Sequence, residues 1–92
     1  LRDIDKIVAA LLKTHPQLLI EQLRVAHPGA DDDGIWFIEH PAASGAVQLE
    51  SWTGNCPFIV ESDRNADVHH ATTVLQAVSI VTALLGLSAI AT

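Results

Sequence analysis

The chain's only cysteine, Cys56, lies beside Pro57 in the stretch QLESWTGNCPFIVES, and the adjacent histidines His69 and His70 follow in the next segment. A thiolate beside an imidazolium is the pattern of a cysteine nucleophile, because the imidazolium stabilises the reactive anion. A small thiol-dependent or metal-assisted enzyme using Cys56 with His69 or His70 is therefore one reading. The structural counter-reading is strong. Cysteine is among the residue types most often buried, and a hairpin corner opposite Thr53 suits a small apolar side chain. Glu50 and Glu61, if close, would raise the thiol pKa and oppose activation.

The remaining candidates for chemistry weaken on inspection. Glu50 and Glu61 could stand at the separation of a glycosidase pair, but carboxylates on a solvated strand face are the usual result of alternation, and a small sheet offers no deep cleft. Aligning the acid run GADDDG with a calcium loop leaves Gly29 and His40 where ligands are required. His15, His27 and His40 each precede proline, and His69 and His70 are neighbours, so no pair has the spacing of metal ligands on one element. Asp63, Asp67 and the histidine pair could surround an ion, though a polar link explains them equally well. There is no GxSxG, phosphate-binding glycine loop or CxxC, and no metal or cofactor is expected.

Composition narrows the class. Ninety-two residues fit a single domain spanning 1–92, with room for one small core. A net charge of −6 with scattered bases argues against nucleic acid and against anionic membrane surfaces, and suits a basic protein partner. Hydrophobic residues make up 49% against 17% charged, more apolar surface than a lone small domain needs, which favours a homodimer or another partner. A lone cysteine forms no internal disulfide, so a reducing cytoplasm is the simpler expectation. The first residues lack a secretory pattern, and with Leu1 first and no methionine present the native start is expected to have been removed or left out.

The elements that must position these residues follow from periodicity. Ile4, Ile7, Val8, Leu11 and Leu12 predict an amphipathic helix over 3–13. Thr14, Pro16 and Gln17 read as the start of a second short helix or kinked continuation to about Val25, stopped by HPGADDDG. IWFIEH, VQLESWT and PFIVES read as three strands. Gly54 and Asn55 suit a two-residue turn that sets Leu49 opposite Val60. DRNADVHHA reads as a polar link, and Thr73-x-x-Gln76 with Gly86 bounds a last helix over 74–85 lined by Leu75, Val78, Val81 and Leu85. The uncharged run from Ala71 to Thr92 is long enough for a membrane span, but its hydroxyl residues, its cap signals and its lack of flanking bases favour a core helix or a helix shared across a dimer. The expected fold is α+β: a two-layer sandwich with a three-stranded antiparallel meander and N-terminal and C-terminal helices, in the order α-(α)-β-β-β-α.

Alternation puts Val47, Leu49, Phe58 and Val60 on the core face, and Gln48, Glu50, Trp52, Ile59 and Glu61 on the other. An aromatic anchor with a polar rim is the anatomy of a protein-interaction patch, which Trp36 and Ile38 would extend if their strand faces that way. The competing role for Trp52 is packing under a loop or in a dimer seam.

The segments DDDGIWFI, VQLES, TGNCPFIVESD and TVLQAV resemble a set of small uncharacterised bacterial proteins, over about Asp31 to Val78. That resemblance implies a bacterial source and one folded unit, and carries no activity. In outline the chain is also similar to the small acidic dimeric chaperones of secretion systems and to some immunity proteins, though fold does not fix function. The reading is a non-enzymatic, cytoplasmic, dimeric protein that binds a polypeptide through its open sheet face.

Overall fold

The computed structural model describes residues 1–23, 34–43 and 45–87. Its first element is a helix, α1 (Asp3–Thr14), whose Ile4, Ile7 and Leu11 recur at helical spacing and are buried. Asp3 and Asp5 stand in its first turn, where the helix dipole favours negative charge, and the Asp5 carboxylate accepts the Arg2 backbone N–H at 3.1 Å. Its last turn is closed by Thr14, whose hydroxyl donates to the carbonyls of Ala10 and Leu11.

The expected second helix does not form over the described residues. The Thr14 hydroxyl is already engaged at the end of α1, and Leu18 donates its N–H to the His15 carbonyl at 3.1 Å in a turn that contains Pro16. A strand follows, β1 (Leu19–Gln22), paired antiparallel with β2 (Ile35–Glu39). Pairing with a neighbour overrides the weak helical signal of LLIEQ. Residues 24–33, which hold most of HPGADDDG, lie outside the described residues.

The sheet continues through β3 (Ala46–Glu50), β4 (Phe58–Ser62) and β5 (Val68–Ala71), and its order is β1-β2-β3-β4-β5 with every pair antiparallel. Among the described residues the meander thus has five strands where three were expected, and β5 lies inside the segment read as a polar link. Leu49 does pair with Val60. The tight turn is absent, however: β3 ends at Glu50, β4 starts at Phe58, and residues 51–57 form a broader loop with Gly54 at φ +76°.

The chain closes with α2 (Val74–Leu84). The Thr73 hydroxyl accepts the Gln76 N–H at 3.0 Å, while the Gln76 side chain reaches back to the Thr72 N–H and hydroxyl. At the other end Gly86 adopts φ +71°, and Gly86 and Leu87 donate to the carbonyls of Ala83 and Thr82, the pattern of a glycine-terminated helix. The buried side of α2 is Ala77, Val81 and Thr82, with Leu85 beyond it, and Leu75 is 78% exposed. The expected lining is therefore rotated, because small Ala77 allows close approach and the Thr82 hydroxyl is satisfied by Val78 and Ser79 carbonyls at 3.0 Å. No helix of the described residues is long and apolar enough to cross a membrane.

Both helices pack on the same face of the sheet, around Trp36, Ile38, Val47, Leu49, Phe58 and Val60. The rings of Trp36 and Phe58 meet edge to face, with centroids 6.5 Å apart. Trp36 and Ile38 are thus core residues, not an extension of the outer patch. The result is a two-layer α+β fold with one sheet face left open by the described helices.

Candidate functional site

Cys56 belongs to a structural clamp. The 51–57 loop caps the start of α1: the Asp3 N–H donates to the Asn55 side-chain oxygen at 2.9 Å, and the Ile4 N–H to the Gly54 carbonyl at 2.9 Å. These are N–H groups that the helix itself leaves unpaired. In return the Asp3 carboxylate accepts the Cys56 N–H at 2.9 Å. The loop is braced internally by the Ser51 hydroxyl on the Asn55 carbonyl and the Asn55 N–H on the Thr53 hydroxyl.

This setting opposes thiol chemistry. Burial pushes the Cys56 thiol pKa up, and the Asp3 carboxylate adds to the rise both as a hydrogen-bond partner and as a negative charge. The Asp3 carboxyl is held below its ordinary value, chiefly by the Cys56 N–H and against the effect of burial, with Lys6 lending attraction at 4.0 Å. The charged neighbour of the thiol is thus an acid from α1, not the Glu50 and Glu61 considered from the sequence.

Two pH effects follow. Folding lowers the Asp3 pKa, so its contribution to stability is complete above the ordinary aspartate range and is lost as pH falls through the depressed value; folding raises the Cys56 pKa, so its contribution is complete below the ordinary thiol range and is lost as pH rises beyond it. Asp3→Asn is expected to flatten the acid side of a stability-against-pH curve. The same variant should shift the pH dependence of iodoacetamide alkylation down towards that of an ordinary thiol near ~8.5. An alkylation rate in the parent protein that is already maximal at neutral pH would contradict this.

The histidines are separated by the strand period of two. His69 pairs with core-facing Val60, whereas His70 pairs with Ile59 on the open face. Adjacent strand residues point to opposite faces, so the two imidazoles do not converge. His15 and His40 meet edge to face with centroids 6.4 Å apart, and the His40 Nδ1 accepts the Ala42 N–H. Among the described residues no group of three or more His, Cys, Asp or Glu side chains is arranged to hold a metal ion.

The open face is the larger feature. Register sets three rows across it: Ile35, Glu50, Ile59 and His70; then Glu21, Phe37, Gln48, Glu61 and Val68; then Leu19, Glu39 and Ala46. All four glutamates of the sequence stand in these rows, and no lysine or arginine occurs on the five strands. The described bases lie elsewhere: Arg2, Lys6 and Lys13 at α1 on the opposite layer, and Arg64 in the turn after β4.

Three recesses indent this face. One, of about 390 Å³, is lined mainly by Glu50, Ser51, Trp52, Pro57, Ile59 and His70. Trp52 stands at its edge and is 77% exposed. A second, of about 220 Å³, lies between Phe37, Gln48, Glu61 and Asp63, and a shallow third between Leu19, Glu21, Phe37 and Glu39. Trp52, Glu50 and Ile59 are thus brought together as read from the sequence, with Gln48 and Glu61 in the adjoining recess.

Sequence reasoning missed Glu21, Phe37, Glu39 and His70 as members of the face. IWFIE is apolar on both sides, so its phase is ambiguous; Glu39, two residues from Phe37, is the signal that could have set it. A separate apolar groove of about 470 Å³ runs between α1 and β1, lined mainly by Val8, Leu12, Leu18, Ile20 and Trp36. Among the described residues that line it, none has a titratable side chain.

Comparison of the chain with protein-family models, with curated proteins and with solved structures gives no match in any of the three.

Proposed function

We propose that this protein is a non-enzymatic interaction module, of the chaperone-like or immunity-like kind, that binds a polypeptide partner through its open sheet face. The observation that carries this reading is Trp52: a large aromatic ring, 77% exposed, standing over a recess it shares with Glu50, Ile59 and His70. Tryptophan is among the residue types enriched at the energetic anchors of protein interfaces, which sit within a polar rim. A solvated indole of this size on a small fold contributes little to its stability, which supports a binding role.

The thiol-enzyme reading draws no support from the surroundings of Cys56, where a carboxylate disfavours the thiolate. Homodimerisation, which the apolar composition favours, is not assigned to this face. Two copies docked there would bring four glutamates each into one desolvated seam, which is costly for like charges.

The test is recovery of a partner. Immobilised protein should capture a polypeptide from lysate of its source cells, identified by mass spectrometry and rebound when purified. The Trp52→Ala, Glu50→Gln double variant should weaken that rebinding by about thirtyfold or more, the loss typical of an aromatic anchor. Because both side chains project from the surface, the variant's melting curve should be unchanged. Equal rebinding by the folded variant would overturn the reading.

A further inference from the structure

Which polypeptide the face takes follows from where its carboxylates stand, on the premise that the face binds a partner at all. Glu21 pairs with Phe37, so Glu39 is its diagonal neighbour; Glu50 pairs with Ile59, so Glu61 is its diagonal neighbour. Each such pair holds two carboxylates with Cα atoms about 7–8 Å apart, close enough for one cation to touch both. Glu21 and Glu39 indeed line one recess together. Phe37 and Gln48 occupy the ground between the two pairs.

Sheet geometry gives the separation of the pairs. Their midpoints are two strand spacings of ~4.8 Å apart across the sheet and one two-residue step of ~6.8 Å along it, a diagonal of about 12 Å. We infer that the face accepts an amphipathic helix bearing two lysines or arginines one heptad apart, with an apolar side chain between them over Phe37. Seven helical residues span ~10.5 Å, and positions i, i+3 or i+4, and i+7 share one helix face, so flexible basic side chains reach both corners. A helix suits this surface better than an extended chain, since it satisfies its own backbone hydrogen bonds while lying on side chains rather than on a sheet edge. The sign of the charge is set by the four glutamates on this face; at its border Asp63 adds a carboxylate with Arg64 nearby, and the other described bases stand at α1.

The experiment uses the full chain and four synthetic helical peptides, measured by titration calorimetry. The first carries lysines at i and i+7 with leucines at i+3 and i+4; the second and third replace those lysines by glutamine and by glutamate; the fourth keeps the first composition but moves the lysines off the leucine face. The first peptide is expected to bind at least tenfold more tightly than the other three, and to weaken as salt is raised. Glu21→Gln with Glu39→Gln, and separately Glu50→Gln with Glu61→Gln, should each weaken it about fivefold, as expected when one cation loses two exposed carboxylate partners. All four glutamates lie on the solvated face, and each double variant is checked by its melting curve, so loss of fold and loss of binding are told apart. Equal binding of the glutamine or glutamate peptide at this face overturns the cationic assignment while leaving an interaction face in place. Equal binding of the re-spaced peptide, or indifference to both double variants, overturns the two-corner geometry. Failure of all four peptides to bind overturns this inference, whereas the Proposed reading falls only if the recovered partner rebinds the Trp52 and Glu50 double variant undiminished.

Discussion

Phe58→Ala is expected to destabilise the protein by about 3–5 kcal/mol, while Phe37→Ala, the same change one sheet face away, is expected to cost about 1 kcal/mol. Phe58 is 0% exposed, touches Trp36 edge to face, and stands in the centre of the layer between the sheet and both helices. Removing its ring is expected to leave a cavity that the surrounding side chains of the sheet and helices fill only in part. Phe37 is only half-buried, on the face that neither helix covers. For a chain of this length, with total stability of about 5–14 kcal/mol, the first change removes a large share and the second does not. Denaturant unfolding of the two variants reads the difference directly, as a shift in midpoint at unchanged slope. Similar losses for both would mean that the face described as open is covered, and the proposed docking surface would go with it.

The second large effect concerns a residue with no side chain. Gly34→Ala is expected to cost about 2–3 kcal/mol, because the new methyl would overlap backbone and not a side chain that can swing away. It would run into the carbonyl oxygen of Ser51, stand 2.9 Å from that carbonyl carbon, and lie 3.2 Å from the Trp52 Cα. The two chains are held at this separation by the Ser51 N–H, which donates to the Gly34 carbonyl at 2.8 Å. Relief of the clash therefore displaces the start of the loop that carries Trp52. The variant should lose both stability and partner binding, in contrast to Gly86→Ala, whose methyl meets no atom within 4 Å and whose cost of about 1–2 kcal/mol comes from its positive φ alone. A Gly34→Ala protein within 0.5 kcal/mol of the parent, measured by denaturant unfolding, would contradict the close approach.

Much of this arrangement was legible in the residues. The first and last helices announce themselves by Ile4, Ile7 and Leu11 at helical spacing, and by Thr73, Gln76 and Gly86 as start and stop signals. The central strands carry strong β residues, and alternation alone separated Val47, Leu49, Phe58 and Val60 from Gln48, Glu50, Ile59 and Glu61. The two edge strands were not legible. LIEQ follows a Thr-x-x-Gln pattern that imitates a helix start, and VHHA is short and polar; each becomes a strand because a neighbour offers hydrogen-bond partners, a fact of tertiary structure that four residues do not encode. The same limit hid the clamp on α1, since Asp3 and Asn55 meet across most of the chain. Cys56 looked like chemistry in the sequence, and in the fold it donates its N–H to an aspartate that holds a helix in place.

The sheet face gained most from being seen in register. Glu50 and Glu61 suggested a catalytic pair when read alone, but with Glu21 and Glu39 added they form a charged surround to Phe37 and Gln48. On the proposed reading, such a surface would favour a cationic partner, and its like charges would count against two copies docking there.

On the proposed reading, a polypeptide docks on the acidic sheet face that the described helices leave open. The most direct test is amide shift mapping of isotope-labelled protein as the recovered partner is added. The largest shifts are expected on Phe37, Gln48, Trp52, Ile59 and Glu61, with the exposed helix positions Lys6, Ala9, Leu75 and Ser79 unmoved. Shifts confined to those helix positions, with the five sheet-face and loop residues unchanged, would contradict it.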